Sequence, residues 1–284
     1  MRDAGYRYLR RKLTGRVMMA LSLLSALTAV VVLFWILGYV FLKGASGINL
    51  DFFTELPTPV GVEGGGLANA VVGSVIVVGL ASAMAVPVGV AAGIYLSEYG
   101  RGLFASTVRF IAEVLAGVPA IVAGIVAYAL VVAPMGRFSA FSGSAALAIL
   151  MLPIVIRSSE EIFKTVPDSL REASLALGIP RWKTVLKVVM KTAAGGLATG
   201  IMLAVARVGG EAAPLLFTAF SNSFWSLRPD QPIATLPVQI FNYAISPYED
   251  WHRKAWAAAF VLVMMVLLLN IGARWFARRT RTKG

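Results

Sequence analysis

Six apolar runs, each parted from the next by a polar stretch, dominate the chain. The first, from Val17 to Leu42, has no charged residue. About 20 apolar residues span a bilayer core as a helix. A signal-peptide core is about 7–15 residues long, so this run reads as a retained transmembrane helix. Further spans are expected at roughly 67–95, 108–132, 140–156, 192–220 and 255–276. The second carries Ala70, Ser74, Ala81, Ala85, Gly89 and Gly93, small residues that let helices approach closely in lipid. The third has Glu113 near its start and Pro119 inside it. The pattern predicts an all-α integral membrane protein with six transmembrane helices.

The interruptions divide the chain further. Residues 1–16 form a basic segment, and 17–66 hold the first span and a loop with Lys43, Asp51, Glu55, Glu63 and a triple glycine. Residues 67–277 carry the other spans, and 278–284 are a basic tail. Within the polar stretch 221–254, Ile233, Leu236, Ile240 and Ala244 recur at helical spacing and predict a short interfacial helix. Residues 157–191 form the longest polar interruption before residue 220.

Composition agrees with a membrane protein. The chain is 58% hydrophobic and 14% charged, against about 45–50% and about 25% in soluble domains. Its net charge of +12 would point to nucleic acid on a soluble protein. Here the charges flank apolar runs and report topology. Twenty Lys and Arg residues fall on the side of both termini and the 157–191 loop, and five on the other side. The positive-inside rule makes the first side cytoplasmic.

Several chemistries are excluded. There is no cysteine, and a single histidine rules out a His-Glu-x-x-His zinc site. No phosphate-binding Gly-x-x-x-x-Gly-Lys-Ser/Thr loop occurs, so the chain is expected to bind no cofactor and hydrolyse no ATP. Gly44, Ser46 and Gly47 fit the short serine motif of intramembrane proteases, with His252 on the same side. Four-residue matches are cheap in a chain with 27 glycines.

Charges placed in lipid are more informative. Arg207 and Glu211 fall near the middle of the fifth span. A charge there costs about 2.5–3.5 kcal/mol on insertion scales and needs a partner or a wet cavity. Four residues apart, the two share one helix face. Gly209, Gly210 and Pro214 weaken the helix at the same depth, as broken helices do at transporter sites. A structural ion pair fixing helix register is the alternative. Glu113 is a candidate accessory pathway residue, or a carboxylate snorkelling toward the cytoplasm.

The 157–191 loop contains helix-start chemistry. Asp168 or Ser169 is expected to cap a helix that follows Pro167, with Glu172 in its first turn. Leu170, Ala173 and Leu177 give it an apolar face, and Gly178 ends it, with Pro180 beyond. Such a helix is built to be gripped from outside the membrane, unless it is an ordinary loop helix.

Glu172, Ala173 and Gly178, followed by an apolar and basic helix, resemble the EAA loop of ABC-importer permeases. Ser174 replaces a usual Ala, and Met190-Lys191 replaces the Leu-Pro at which the family pattern places a helix kink. The stretches Arg207 to Ala219 and Leu236 to Pro247, with Trp251 and Trp256 after them, resemble phosphate-importer permeases of the PstA type. So does Gly117 to Gly124, with Ala120 where Ser is common. The resemblance spans about residues 65–275.

It implies a type I ABC importer permease fold, with 67–277 as the permease domain and 157–191 as the coupling loop. Asp168, Arg171, Glu172, Ala173, Leu177 and Gly178 would meet the ATPase. The implied partners are a PstC-like permease, a PstB-like ATPase dimer that uses ATP and Mg, and a PstS-like phosphate-binding protein. Phosphate would pass Arg207 and Glu211. A permease for sulfate or molybdate, and a non-transporting membrane scaffold, are the other readings to weigh.

Overall fold

The computed structural model describes residues 2–59, 62 and 64–281; Glu63 and residues 282–284 of the basic tail lie outside it. All regular elements among the described residues are helical. The first is α1 (Arg2–Ala45), and α2 (Leu50–Thr54) follows. Then come α3 (Ala68–Ile94), α4 (Leu103–Ala116), α5 (Ala120–Ala127), α6 (Ala133–Met135) and α7 (Ala140–Lys164). The second half holds α8 (Asp168–Ala176), α9 (Arg181–Thr184), α10 (Met190–Gly209), α11 (Ala213–Leu216), α12 (Leu236–Ala244) and α13 (Glu249–Arg281). Five helical stretches are long and apolar enough to cross a membrane, and six if α4 and the α5–α6 stretch count as one bent span.

That bend is the main departure from a row of simple spans. The predicted third span is two helices meeting at 107°. The break falls at Gly117 to Pro119, with Pro119 as the residue before α5. Proline has no N–H to continue the ladder, and its ring disfavours helix in the residue before it. Three π-helical turns also occur, at Tyr95–Tyr99, Tyr128–Val132 and Val185–Val189. The last lies just ahead of Met190 and Lys191, through which the helix runs unbroken from Arg181 to Gly209.

The small residues of α3 behave as their spacing predicts. Ala70, Ser74, Ala81, Ala85, Gly89 and Gly93 are all buried. A Cβ on Gly89 would lie 2.7 Å from Val155 Cγ1, and one on Gly93 would lie 2.5 Å from Ser159 Cβ. The α3 and α7 backbones are therefore pressed together. Val77, Leu147, Met151, Ala204, Val208 and Leu215 fill the core between α3, α7, α10 and α11.

Two polar stretches hold more structure than periodicity revealed. Asn49 caps α2 by accepting from the Phe52 N–H at 2.9 Å, and Phe52 is buried. Five residues are too few to show a period. The predicted interfacial helix exists as α12, yet Leu236, Pro237, Val238, Gln239 and Tyr243 on it are buried. Its first N–H groups include that of Leu236, which donates to Ser74 Oγ at 2.7 Å. It is a packed plug against α3 and α13 rather than a helix lying on a surface.

The 157–191 interruption divides into three. Residues 157–164 complete α7, α8 stands between turns, and Arg181 onward belongs to the next span. Charged residues at the ends of long spans can extend past the apolar layer, so a polar composition does not mark the end of a helix.

Candidate functional site

The α8 helix begins directly after Pro167, which occupies the N-cap position without a side-chain cap. Asp168 is the first helical residue, so it cannot accept from the N–H groups two and three residues on, as a cap would. Its carboxylate instead pairs with Arg171 at 3.1 Å. Glu172 falls one turn later than expected, and Asp168 is the acid of the first turn. Neither Asp168 nor Ser169 caps the helix.

The C-terminus closes as the glycine predicts. Gly178 has φ +75°. Its N–H donates to Leu175 O at 2.9 Å, and that of Ile179 donates to Ser174 O at 3.3 Å. These two bonds form a Schellman motif. Leu170, Glu172, Ala173 and Leu177 are exposed, Leu177 to 80%. This amphipathic helix therefore leaves its Leu170 and Leu177 side chains uncovered within the chain.

Arg171 points the other way. Its Nη2 donates to Glu98 Oε1 at 2.6 Å, and its Nε reaches both carboxylate oxygens at 3.1 and 3.2 Å. Nη2 also donates to Phe163 O at 2.9 Å, and Nη1 to Val166 O. Hydrogen bonding to Glu98 holds the guanidinium above its usual pKa range, so it is charged at any physiological pH. Glu98 itself is buried. Arg171 is thus spent within the chain and is not part of the face that α8 presents. Ser174, at the usual Ala position, is buried and hydrogen-bonded to Thr184 Oγ1 at 2.9 Å, which ties α8 to α9.

Inside the membrane the candidates separate. Arg207 is exposed in the last turn of α10, where the carbonyl end of the helix favours a cation. The helix stops at Gly209, and the half-buried Glu211 lies beyond the turn. Its N–H donates to Val208 O at 3.1 Å. Shared-face spacing required a continuous helix, and the two glycines end it. Among the described residues no ion pair joins Arg207 to Glu211. A carboxylate–guanidinium pair occurs elsewhere, between Glu113 of α4 and Arg157 of α7 at 3.1 Å, both substantially exposed. Glu113 therefore has a cross-helix partner and does not merely snorkel.

The chain from residue 85 to 282 matches the model of the family described as binding-protein-dependent transport system inner membrane component. It is 47% identical over 265 residues to the phosphate transport system permease protein PstA of Yersinia pestis, covering 93% of this chain and 90% of that one. The PstA protein of Haemophilus influenzae is 43% identical, covering 95% of this chain and 96% of that one. The chain belongs to the PstA family of permeases. A solved chain of the inward-facing MetNI methionine ABC transporter shares its fold, with a TM-score of 0.63 at 18% identity, over 75% of this chain and 95% of that one. That is the type I ABC importer permease fold.

Membership makes the chain a multi-pass inner-membrane transport subunit that works with a binding protein and an ATPase; it is not itself an enzyme. The protease reading finds no support in the geometry. Ser46 Oγ donates to Lys43 O at 3.0 Å, and His252 Nε2 pairs with Ser246 O at 2.6 Å. Among the described residues no hydrogen bond joins Ser46 to His252.

Within this PstA-family fold, sequence reading passed over Arg157, Thr184 and the buried Glu160. Glu160 takes Arg109 at 2.7 Å and Lys164 at 2.6 Å. It also passed over Glu98. The available signal was placement: an acid at the inner edge of an apolar span, among basic residues, needs a partner. The identity of that partner, 73 residues away in the case of Glu98, leaves no trace in local spacing.

Proposed function

We propose that this chain is the PstA-type half of a phosphate importer, with both termini and α8 in the cytoplasm. It would pair with a PstC-like permease on a PstB-like ATPase dimer, and a PstS-like protein would deliver phosphate from outside. ATP and Mg would be used by the ATPase alone. The observation that carries this reading is the 47% identity to a phosphate permease over nearly the whole chain. The exposed face of α8 supports the ATPase contact.

Arg207 is the proposed phosphate contact. A planar guanidinium matches two oxygens of a phosphate at once, which a lysine ammonium does not. An exposed guanidinium at a helix break inside the membrane needs a wet passage or a partner surface. The Arg157–Glu113 pair, also exposed, is the proposed accessory point, where the carboxylate keeps a second guanidinium from trapping the anion. Glu211 is assigned to the passage by its position at the same break.

The test is ATP hydrolysis by the reconstituted four-protein complex with phosphate, sulfate or molybdate. Stimulation by phosphate and its binding protein alone is expected. Equal stimulation by sulfate or molybdate would reassign the substrate. Arg207→Lys should abolish phosphate uptake at unchanged membrane levels, and normal uptake would remove Arg207 from the passage.

A further inference from the structure

The cytoplasmic end of α3 is held from three directions. From α8, Arg171 forks onto the Glu98 carboxylate. From α9, Arg181 donates to the Glu98 backbone carbonyl, and its guanidinium lies 5.0 Å from the Tyr99 ring centre. From α4, Arg109 Nη2 donates to Leu96 O at 2.9 Å while its Nε holds Glu160 of α7. All three grips fall on the π-helical turn Tyr95–Tyr99. A π-turn has irregular carbonyl spacing and leaves acceptors open to side-chain donors.

The flanking loops alone would connect α8 to its sequence neighbours α7 and α9. Arg171 adds α3, which is not a sequence neighbour. Since α3 is also pressed backbone-to-backbone on α7 at Gly89 and Gly93, a displacement of α8 at Glu98 is carried into the packed pair. The pair resists separation, because parting it leaves the buried Glu98 carboxylate uncompensated.

We propose that Glu98 is the positioning residue that couples α8 to the transmembrane core, by locking Arg171 so that α3 moves with the ATPase-facing helix. The proposal rests on the reading of α8 as that helix. Glu98 does not touch the ATPase or the anion. It sets how much of a movement at α8 reaches the spans.

The experiment uses the full complex in liposomes and reads three quantities: ATPase subunit retained, ATP hydrolysed, and phosphate taken up per ATP. Glu98→Gln keeps the size and hydrogen-bonding capacity of the side chain and removes its charge. Retention should stay as in the wild type, while uptake per ATP falls about tenfold, an ordinary size for coupling between two sites. The chain has no cysteine, which permits a second arm. Glu98→Cys with Arg171→Cys should be uncoupled when free, and should regain uptake per ATP when the two thiols are bridged by a short bifunctional reagent. Each single cysteine variant treated alike should stay uncoupled.

Unchanged uptake per ATP in Glu98→Gln overturns the proposal. So does loss of ATPase retention in that variant, or failure of the bridge to restore coupling, since Glu98 would then only support the fold. Failure of the underlying reading looks different: Leu177→Asp on the exposed face would leave retention untouched.

Discussion

Gly178 offers a clean measurement of how much the shape of α8 matters. Its φ of +75° is in the left-handed region, and no atom lies within 4 Å of where a Cβ would be. A substitution there meets no neighbour, so its cost within this chain is backbone strain alone. That cost is about 1–2 kcal/mol for an ordinary L-residue, a factor of about 5–30 in the ratio of capped to uncapped helix. If the ATPase binds only the capped form, docking affinity falls by at most that factor. Asn tolerates the left-handed region better than Ala, although it is larger. Strain therefore ranks the variants Gly, Asn, Ala, Val. A clash with the ATPase surface would rank them by size, with Ala ahead of Asn. Titrating the ATPase onto immobilised permease complex carrying Gly178→Asn, Gly178→Ala or Gly178→Val reads the order directly. Ala binding better than Asn, or all four binding alike, would refute the strain argument.

Three further outcomes are expected. Gly93→Val should lower thermal stability in detergent by about 1–3 kcal/mol, because its Cβ would meet Ser159 Cβ at 2.5 Å and Glu160 N at 3.0 Å, whereas Gly79→Ala, with nothing within 4 Å, should be silent. Ser174→Ala leaves the buried Thr184 hydroxyl without its α8 partner, at a cost of about 1–3 kcal/mol, and should speed proteolysis in the 165–180 region. Reporters fused after residue 172 or at the C-terminus should read cytoplasm, and those at 55 or 235 should read outside. A cytoplasmic signal at 235 would break the topology.

The first, second, fourth and last spans, the small-residue face of α3 and the glycine stop of α8 are legible because each depends on residues close in sequence. Gly89 and Gly93 announce close approach by spacing alone, and Gly178 announces a left-handed turn. What stayed hidden depends on distant partners or on where a helix ends. Arg207 and Glu211 share a face only along an unbroken helix, and α10 ends at Gly209, between them. The family resemblance places Arg171 among the residues expected to meet the ATPase, but it does not say which side chains of α8 are covered by Glu98 and the end of α7. The angle at Gly117 to Pro119 likewise follows from packing on α7 and α11, which local sequence does not encode.

The first helix carries a consequence for biogenesis. None of the apolar window of α1 is buried within the chain. Its clearest contacts are on α13: Tyr39 on Trp256, Phe41 on Phe260, and Gly44 against the Phe260 side chain. Synthesis runs from the N-terminus, so the first span to enter the bilayer waits for the last before it finds that seat. Four spans are made between α1 and α13, and none of them covers the apolar window of α1. A run of 26 residues without a charge, from Val17 to Leu42, suits a helix with that wait. The α1 seat is thus completed by a segment made more than 200 residues later, and ribosomes stalled before Ala255 would hold an α1 without its α13 contacts.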